Sequence, residues 1–475
     1  MRLNFKSPGI TNVSYIKDLI EKGIEYAIKK GADFVEIRYQ EAQSTNIVVR
    51  KGAVEASSLS TIRGIGVRVL VNGSWGYASL DEISWQLLER AISNAYRMAR
   101  ASSKLRKRKI RLAYVKPAKD RVASKVKIRP SDISVEEKMK MLLEVDKTIR
   151  EYSDRIKDDN VVYADSVSRK IYMNSEGAEI EVNTCRVRCG IRVTARENDI
   201  ISPAYEVIGG TKGYELIYDK DPVKLGVKVA KRAVDLLHAD VPKGGLMTAV
   251  LDNSILGLIV HEAFGHTAEA DLVLSGTILT NKIGKKVASD MVTIIDSPGP
   301  EGAYGWLPYD DEGVKGRDVV IVKEGILMGY MHSRETAFIM GAEPTGNARA
   351  QSYAHPPLVR MRNTYMAPGD WKPDEIIQET KEGIYLKGGI GGQSDTNGEF
   401  MFSVQEAWYI RNGELIRPLR GVTISGNAIE VLKSIDAVGN DLKIGYPGMC
   451  GKFQLVPVDG GGPHIRCKVL VGGKR

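Results

Sequence analysis

Residues Tyr15 to Lys30 read YIKDLIEKGIEYAIKK, and Gly31 follows them. Ile16, Leu19, Ile20, Ile24, Ala27 and Ile28 recur at the helical period, so one apolar stripe predicts a helix that Gly31 ends. The period then changes to two. Strands are expected over Phe34–Tyr39, Asn46–Arg50, Val54–Ser60 and Gly64–Val71, with turns at Lys51-Gly52 and Asn72-Gly73. Asp81 before an apolar-periodic run predicts a second helix over Leu80–Arg100. Helix, small antiparallel sheet and helix make a first unit, assigned to residues 1–117.

A second unit, 118–240, repeats that order. A helix is expected over Val135–Glu151, strands over Val161–Asp165, Ser168–Asn174 and Glu179–Ala195, and a closing helix over Pro222–His238. Gly64-Ile-Gly-Val-Arg-Val resembles Gly190-Ile-Arg-Val-Thr, although two half-buried strands of similar composition explain this as well as a repeat does. From Gly244 short strands broken by glycine clusters dominate, as in Gly388-Gly-Ile-Gly-Gly392 and Gly460-Gly-Gly462. The third unit, 241–475, therefore reads as mostly β and barrel-like, with one or two embedded helices. The expected fold class is α+β: two N-terminal α/β units with small antiparallel sheets, then a mostly β domain carrying the candidate metal-site helix.

Composition agrees. A chain of 475 residues, 43% hydrophobic, can bury several cores, which excludes disordered and collagen-like classes. Its apolar stretches are too short to span a membrane. Met1–Pro8 lacks the apolar core of a secretion signal, so a cytoplasmic location is expected. Four cysteines are too few for a disulfide framework, so any special one is a ligand or nucleophile. The net charge of +9 is local: Lys104–Arg129 holds twelve Lys or Arg and one acid, leaving a slight negative excess elsewhere. Such a run can track phosphates, but Tyr114 is its single aromatic, Pro117 interrupts it and Pro130 follows it. It reads as a solvated helix end running into a linker, and nucleic acid is not an expected partner.

The chemistry concentrates in Asn253-Ser-Ile-Leu-Gly-Leu-Ile-Val-His261-Glu262-Ala-Phe-Gly265-His266-Thr-Ala-Glu269-Ala-Asp271, which holds two of the six histidines. Histidines at i and i+4 lie about 40° apart around a helix, whereas i and i+5 lie about 140° apart. One ion cannot take both from an undistorted helix. A π-bulge or a helix end at Gly265 would bring His266 beside His261. The alternative is a pair of satisfied histidines at a helix terminus.

A third ligand must come from elsewhere. Cys450, in Gly445-Tyr-Pro-Gly-Met-Cys450-Gly-Lys452, sits in a glycine-flanked loop, with Lys452 expected to lower its thiol pKa. A small buried cysteine in a turn is the other reading. His464, His355 and His332 are reserve ligands or polarising groups, and His238 is none of these. Cys185, Cys189 and Cys467 read as core packing. Asp310-Asp311-Glu312-Gly313 lacks the alternating oxygens of a calcium loop and reads as a turn, with a supporting role behind the metal ligands as the other reading. No Gly-x-Ser-x-Gly elbow is present.

Together, His261-Glu262-Ala-Phe-Gly265-His266 with Glu269 and Asp271, Tyr309-Asp-Asp-Glu-Gly313, Arg360-Met-Arg-Asn-Thr-Tyr365 and Met449-Cys450-Gly-Lys452 resemble the TldD/PmbA family of zinc metalloproteases, in order and over nearly the whole chain. The His-Glu-x-x-x-His motif is similar to that of the catalytic, TldD-like members. The resemblance implies that His261, His266 and Cys450 bind Zn2+ and that Glu262 is the catalytic carboxylate. It further implies a site enclosed by two subunits, the partner being a second copy or a PmbA/TldE-like paralogue, and peptide or unfolded-protein substrates.

The resulting expectation is hydrolysis in which Glu262 takes a proton from a zinc-bound water and returns it to the leaving amine. His464 or Tyr365 is the expected oxyanion donor. Two rivals stand beside it: a DNA-associated or nucleic-acid-binding protein with a closed structural zinc, and a zinc amidase of small amides.

Overall fold

The computed structural model describes residues 12–473; Met1–Pro8, on which the leader-free reading rests, lies outside them. Helix α1 (Val13–Lys29) is capped by Asn12 and buries Ile16, Leu19, Ile20 and Ala27 of the stripe read from the sequence, while Ile24 is half-buried and Ile28 is exposed. Strands β1 (Phe34–Arg50), β2 (Ala53–Val71) and β3 (Ser74–Leu80) form a continuous meander. β1 is one strand where two were expected. The polar stretch between them is partly covered: Gln40 accepts a hydrogen bond from the Tyr353 backbone of the C-terminal region. Helix α2 (Trp85–Ser103) starts at Ser84, later than expected, because Leu80 still pairs with Ile65 in the sheet.

β4 (Lys119–Ala123) and α3 (Val135–Tyr152) precede the strands β5 (Ile156–Asn174), β6 (Glu179–Glu197) and β7 (Ile200–Gly210). β5 merges two expected strands, and β7 was not anticipated. α4 (Glu215–Lys220) and α5 (Pro222–Asp235) follow, with a 3-10 turn at Leu236–His238 completing the helix expected to His238. The strands of both N-terminal units share one seven-stranded sheet in the order β3-β2-β1-β5-β6-β4, with β7 on β6. The join is β1 against β5, antiparallel from Glu36–Asn174 to Val49–Val161. Two cores flank it, one under α1 and α2, the other under α3 and α5. Cys189 lies in the second, and Cys185 and Cys467 are also buried, as expected of packing residues.

The C-terminal region opens with β8 (Gly245–Leu251) and the short helix α6 (Asn253–Leu258). β8 lies between the strands Glu382–Ser394 and Ile465–Gly472; Val422–Asn427 and Glu399–Arg411 continue the sheet, and the last pairs back with Glu382–Ser394. Five strands thus close a barrel. Pairing is satisfied all round, so this mostly β region has few edges to protect. A second sheet includes Ile294–Ser297, Asn363–Met366 and Gln454–Gly462, and Gly448–Lys452 pairs with the last of these.

Asp310–Gly313 is a buried turn, with Gly313 at φ +74°. It clasps the N-terminal sheet: Arg68 reaches Glu36 at 2.7 Å and Glu312 at 2.6 Å, while Lys170 reaches Asp311 at 2.8 Å. No helix among the described residues is long and apolar enough to cross a membrane.

Candidate metal centre

Asp252 starts the site helix by accepting from the Ser254 and Ile255 backbone N–H groups. α6 then leads into a π-helical turn over Ile259–Phe264 and a 3-10 turn over Gly265–Ala268. The Gly265 N–H bonds to the Val260 carbonyl, five residues back. This wider turn brings residues five apart onto one side, which is how His261 and His266 come together. Their ring centroids are 5.5 Å apart and nearly perpendicular. Gly265 is required by close approach, since its Cβ would lie 2.3 Å from the Met361 sulfur. Gly257 likewise lets the helix lie against Gly461, whose backbone nitrogen would be 2.8 Å from an added Cβ.

Cys450 arrives from the Gly448–Lys452 strand. Its Sγ lies 3.2 Å from His266 Nε2, and the candidate ligand atoms of His261, His266 and Cys450 all fall within 4.8 Å of one another. It is the one such group of three or more among the described residues. Burial alone would push the Cys450 thiol up, but the His261 imidazole and then His266 hold it down to about 5. Lys452 does not do this, contrary to expectation. Its ammonium instead donates to Glu269 at 2.9 Å, to Asp271 at 2.7 and 2.8 Å and to the Val359 carbonyl.

Glu269 is fully buried and accepts from His266 Nδ1 at 3.1 Å. Burial opposes its ionisation, yet His266 and Lys452 outweigh that and hold its carboxyl at about 2. The bond leaves His266 Nε2 facing Cys450, the arrangement by which a carboxylate orients a ligating imidazole. Arg360, also fully buried, donates to the Cys450 carbonyl at 2.6 Å and to the Gln454 carbonyl at 2.7 Å. It thereby fixes the strand that presents the thiol.

One atom marks the cluster as incomplete. His261 Nε2 is buried and makes no hydrogen bond of good geometry, its ring engaging only electrostatically with the Cys450 thiolate of the same group, a costly state for a polar atom unless something else occupies its lone pair. Two imidazoles and a thiolate suit zinc, so the residues present fit the implied ion. Glu262 stands beside both rings, 4.0 Å from His261 Nε2 and 3.7 Å from His266 Nε2, and is partly exposed. His261, Glu262 and Cys450 line a cleft of about 250 Å3, whose other walls include Arg188 and Tyr205 of the N-terminal sheet, Gly389–Gly391 and Tyr446.

The reserve histidines lie elsewhere. His464 is held by Asp441 and Tyr385, His332 by Thr336, and His355 by Ser352, while His238 is largely exposed beside Glu197. Neither His464 nor Tyr365 lines the cleft. Glu269 and Arg360 lie inside the quoted motifs without a role assigned to them, and no local pattern marks Arg188.

The chain matches the three domain models of the PmbA/TldA metallopeptidases in succession: domain 1 over residues 35–99, the central domain over 128–237 and the C-terminal domain over 244–473. A Methanocaldococcus jannaschii protein named as a metalloprotease is 39% identical over 458 residues, covering 96% of this chain and 98% of its own. The chain belongs to the PmbA/TldD metallopeptidase family. A Saccharolobus solfataricus protein named zinc metalloprotease TldD homolog is 34% identical, with 95% and 99% of the two chains covered. Among solved structures, TldE from Thermococcus kodakarensis superposes with a TM-score of 0.74 at 20% identity, over 96% of this chain and 100% of that one. That likeness carries the fold. The chain is thus a metalloprotease of the TldD family with a His-His-Cys candidate metal group.

Proposed function

We propose that the chain hydrolyses peptide bonds using zinc held by His261, His266 and Cys450, with Glu262 as general base and acid. The observation that carries this is the unpartnered His261 nitrogen within a three-ligand group whose neighbouring carboxylate faces a cleft. Zinc bound there would supply Lewis acidity, lowering the pKa of a water and polarising the scissile carbonyl. Glu262 accepts a proton from a water in the cleft and delivers it to the leaving amine. Glu269 holds His266 in one tautomer, and Arg360 holds the Cys450 strand.

Gly389 and Gly391, on either side of Ile390, leave backbone with little side-chain bulk along one wall, suited to an extended peptide that must thread rather than fold. Unfolded polypeptide and peptides are therefore the proposed substrates. Three ligands rather than a closed set of four favour the enzyme over the structural-zinc reading. The hairpin carrying Cys450 exposes Met449, Phe453 and Leu455, which supports a second subunit, identical or PmbA/TldE-like, closing over the cleft. We divide the chain at 1–117, 118–240 and 241–475, and place it in the cytoplasm.

The test is zinc content together with cleavage of an unfolded protein by the parent and by Glu262→Gln. Equal zinc in both, with cleavage lowered by about 10²–10⁴ in the variant, is expected of a proton-moving residue. Zinc lost along with activity would make Glu262 a ligand, and undiminished cleavage would remove it from the chemistry.

A further inference from the structure

We infer that Arg188 is the substrate-carboxylate receptor of the cleft. This rests on the peptide-hydrolysis reading and adds a specificity to it. β6 alternates, so Val187, Cys189 and Ile191 enter the core under α3 and α5 while Arg186, Arg188 and Arg192 face the other way. Arg186 has a structural role there, donating to the Tyr304 and Trp306 carbonyls. Arg192 rests on the Tyr205 ring.

Arg188 is different from both. Its one hydrogen bond goes from Nη2 to the Tyr205 hydroxyl, and its Nε is buried with no partner. No ion pair engages it among the described residues, although it is the one Arg or Lys lining the cleft with His261, Glu262 and Cys450. The acids nearby face other groups, Glu262 standing beside the two imidazoles. Asp459 accepts from the Tyr304, Tyr446 and Gly460 backbone N–H groups, and Glu206 pairs with Arg232.

A half-buried guanidinium with an orphaned N–H, steadied by a tyrosine on a rigid strand, calls for an anionic acceptor. In a peptidase cleft that acceptor is a carboxylate of the peptide. It comes either from the chain's C-terminus or from an Asp or Glu side chain near the scissile bond. The guanidinium prong offers directional bonds that an ammonium cannot reproduce.

The experiment uses the full-length, zinc-loaded protein. One neutral octapeptide is prepared as the free acid, as the C-terminal amide, and as amides carrying a single Glu at each position. Binding to Glu262→Gln is measured by calorimetry, and cleavage by the parent is measured as kcat/KM. A carboxylate-bearing peptide is expected to bind and react on the order of tenfold better than the neutral amide. Adding Arg188→Gln should bring that ratio towards one, and Arg188→Lys should restore only part of it.

Preference for the free acid identifies the C-terminus, and preference for one Glu position identifies a side chain. Equal binding of all peptides to Glu262→Gln, or a ratio unchanged by Arg188→Gln in a chain with native circular dichroism, overturns the assignment. Carboxylate-dependent binding without any cleavage by the parent would keep Arg188 as receptor and refute the hydrolytic reading instead.

Discussion

Two buried polar clusters, the clasp that joins the N-terminal sheet to the C-terminal region and the metal centre, are built on different rules. In the clasp, the charges of Arg68, Glu36, Glu312, Lys170 and Asp311 meet an opposite charge within 3 Å. In the metal centre, His261 Nε2 makes no hydrogen bond of good geometry and Glu262 is left partly open to solvent. Burial is similar in the two places, so burial does not distinguish them. Charge pairing does: each clasp charge meets an opposite one, even at Glu36 Oε1 and Arg68 Nε, whose 2.7 Å contact is an ion pair without hydrogen-bond geometry, whereas neither a cation nor a hydrogen-bond donor meets His261 Nε2.

The largest effect should follow from removing a ligand. Cys450→Ser replaces a thiolate with a hydroxyl that binds zinc poorly, so metal content should fall well below one per chain and cleavage with it, while the unfolding midpoint of the metal-free protein barely moves. Full zinc occupancy would assign the third ligand elsewhere. Arg68→Met reverses that pattern. It leaves Glu36 and Glu312 buried together, and a broken buried ion-pair network costs about 3–5 kcal/mol. Denaturant unfolding should show this loss, with the zinc content of the folded fraction unchanged. If both variants lost zinc and stability alike, the two clusters would be one cooperative unit and the comparison would fail.

Glu269 lies between these cases, since it is fully paired yet belongs to the metal centre. Glu269→Gln keeps the shape but removes the charge that orients His266 and neutralises Lys452. Zinc affinity should weaken about 10- to 100-fold, as measured by competition with a chromogenic chelator. An unchanged affinity would place Glu269 with the clasp, as a purely structural acid.

How much of this was legible depended on sequence distance. The stripe of α1 and the strand alternation repeat within a few residues, so they could be read directly. So could the tension in the i, i+5 histidine pair, and Gly265 pointed to its resolution because few other residues allow that approach. Cys450 stood out by its glycine neighbours, but its 3.2 Å approach to His266 spans 184 residues and no local pattern encodes it. The same holds for the β1–β5 join, for Arg360 on the Cys450 carbonyl and for Lys452, whose adjacency to Cys450 in sequence suggested a partner that Glu269 and Asp271 claim instead. Arg188 carries no local signal, because it takes one of the alternate positions of an ordinary strand, and only the missing acid makes it notable.

The smallest test carries the comparison to a third site, where two like charges meet. At the end of the β1–β2 hairpin, burial opposes ionisation of Asp146, but its hydrogen bond with Asp159, then the Gly52 N–H at 3.0 Å and Arg150 at 2.9 Å, hold its carboxyl low. Burial and the adjacent Asp146 push Asp159 up to about 7. Above the ordinary carboxylate range the folded chain therefore retains a proton that the unfolded chain has released. Stability should fall as pH rises from about 4 to 7 and then level, because the native state binds more protons in that window. Asp159→Asn keeps the hydrogen-bonding shape without the charge, so its stability relative to the parent should improve between pH 5 and pH 8 by on the order of 1–2 kcal/mol. Parallel pH profiles for the two proteins would mean that Asp159 ionises freely in the fold. The hairpin end would then be satisfied like the clasp rather than holding one carboxyl in excess.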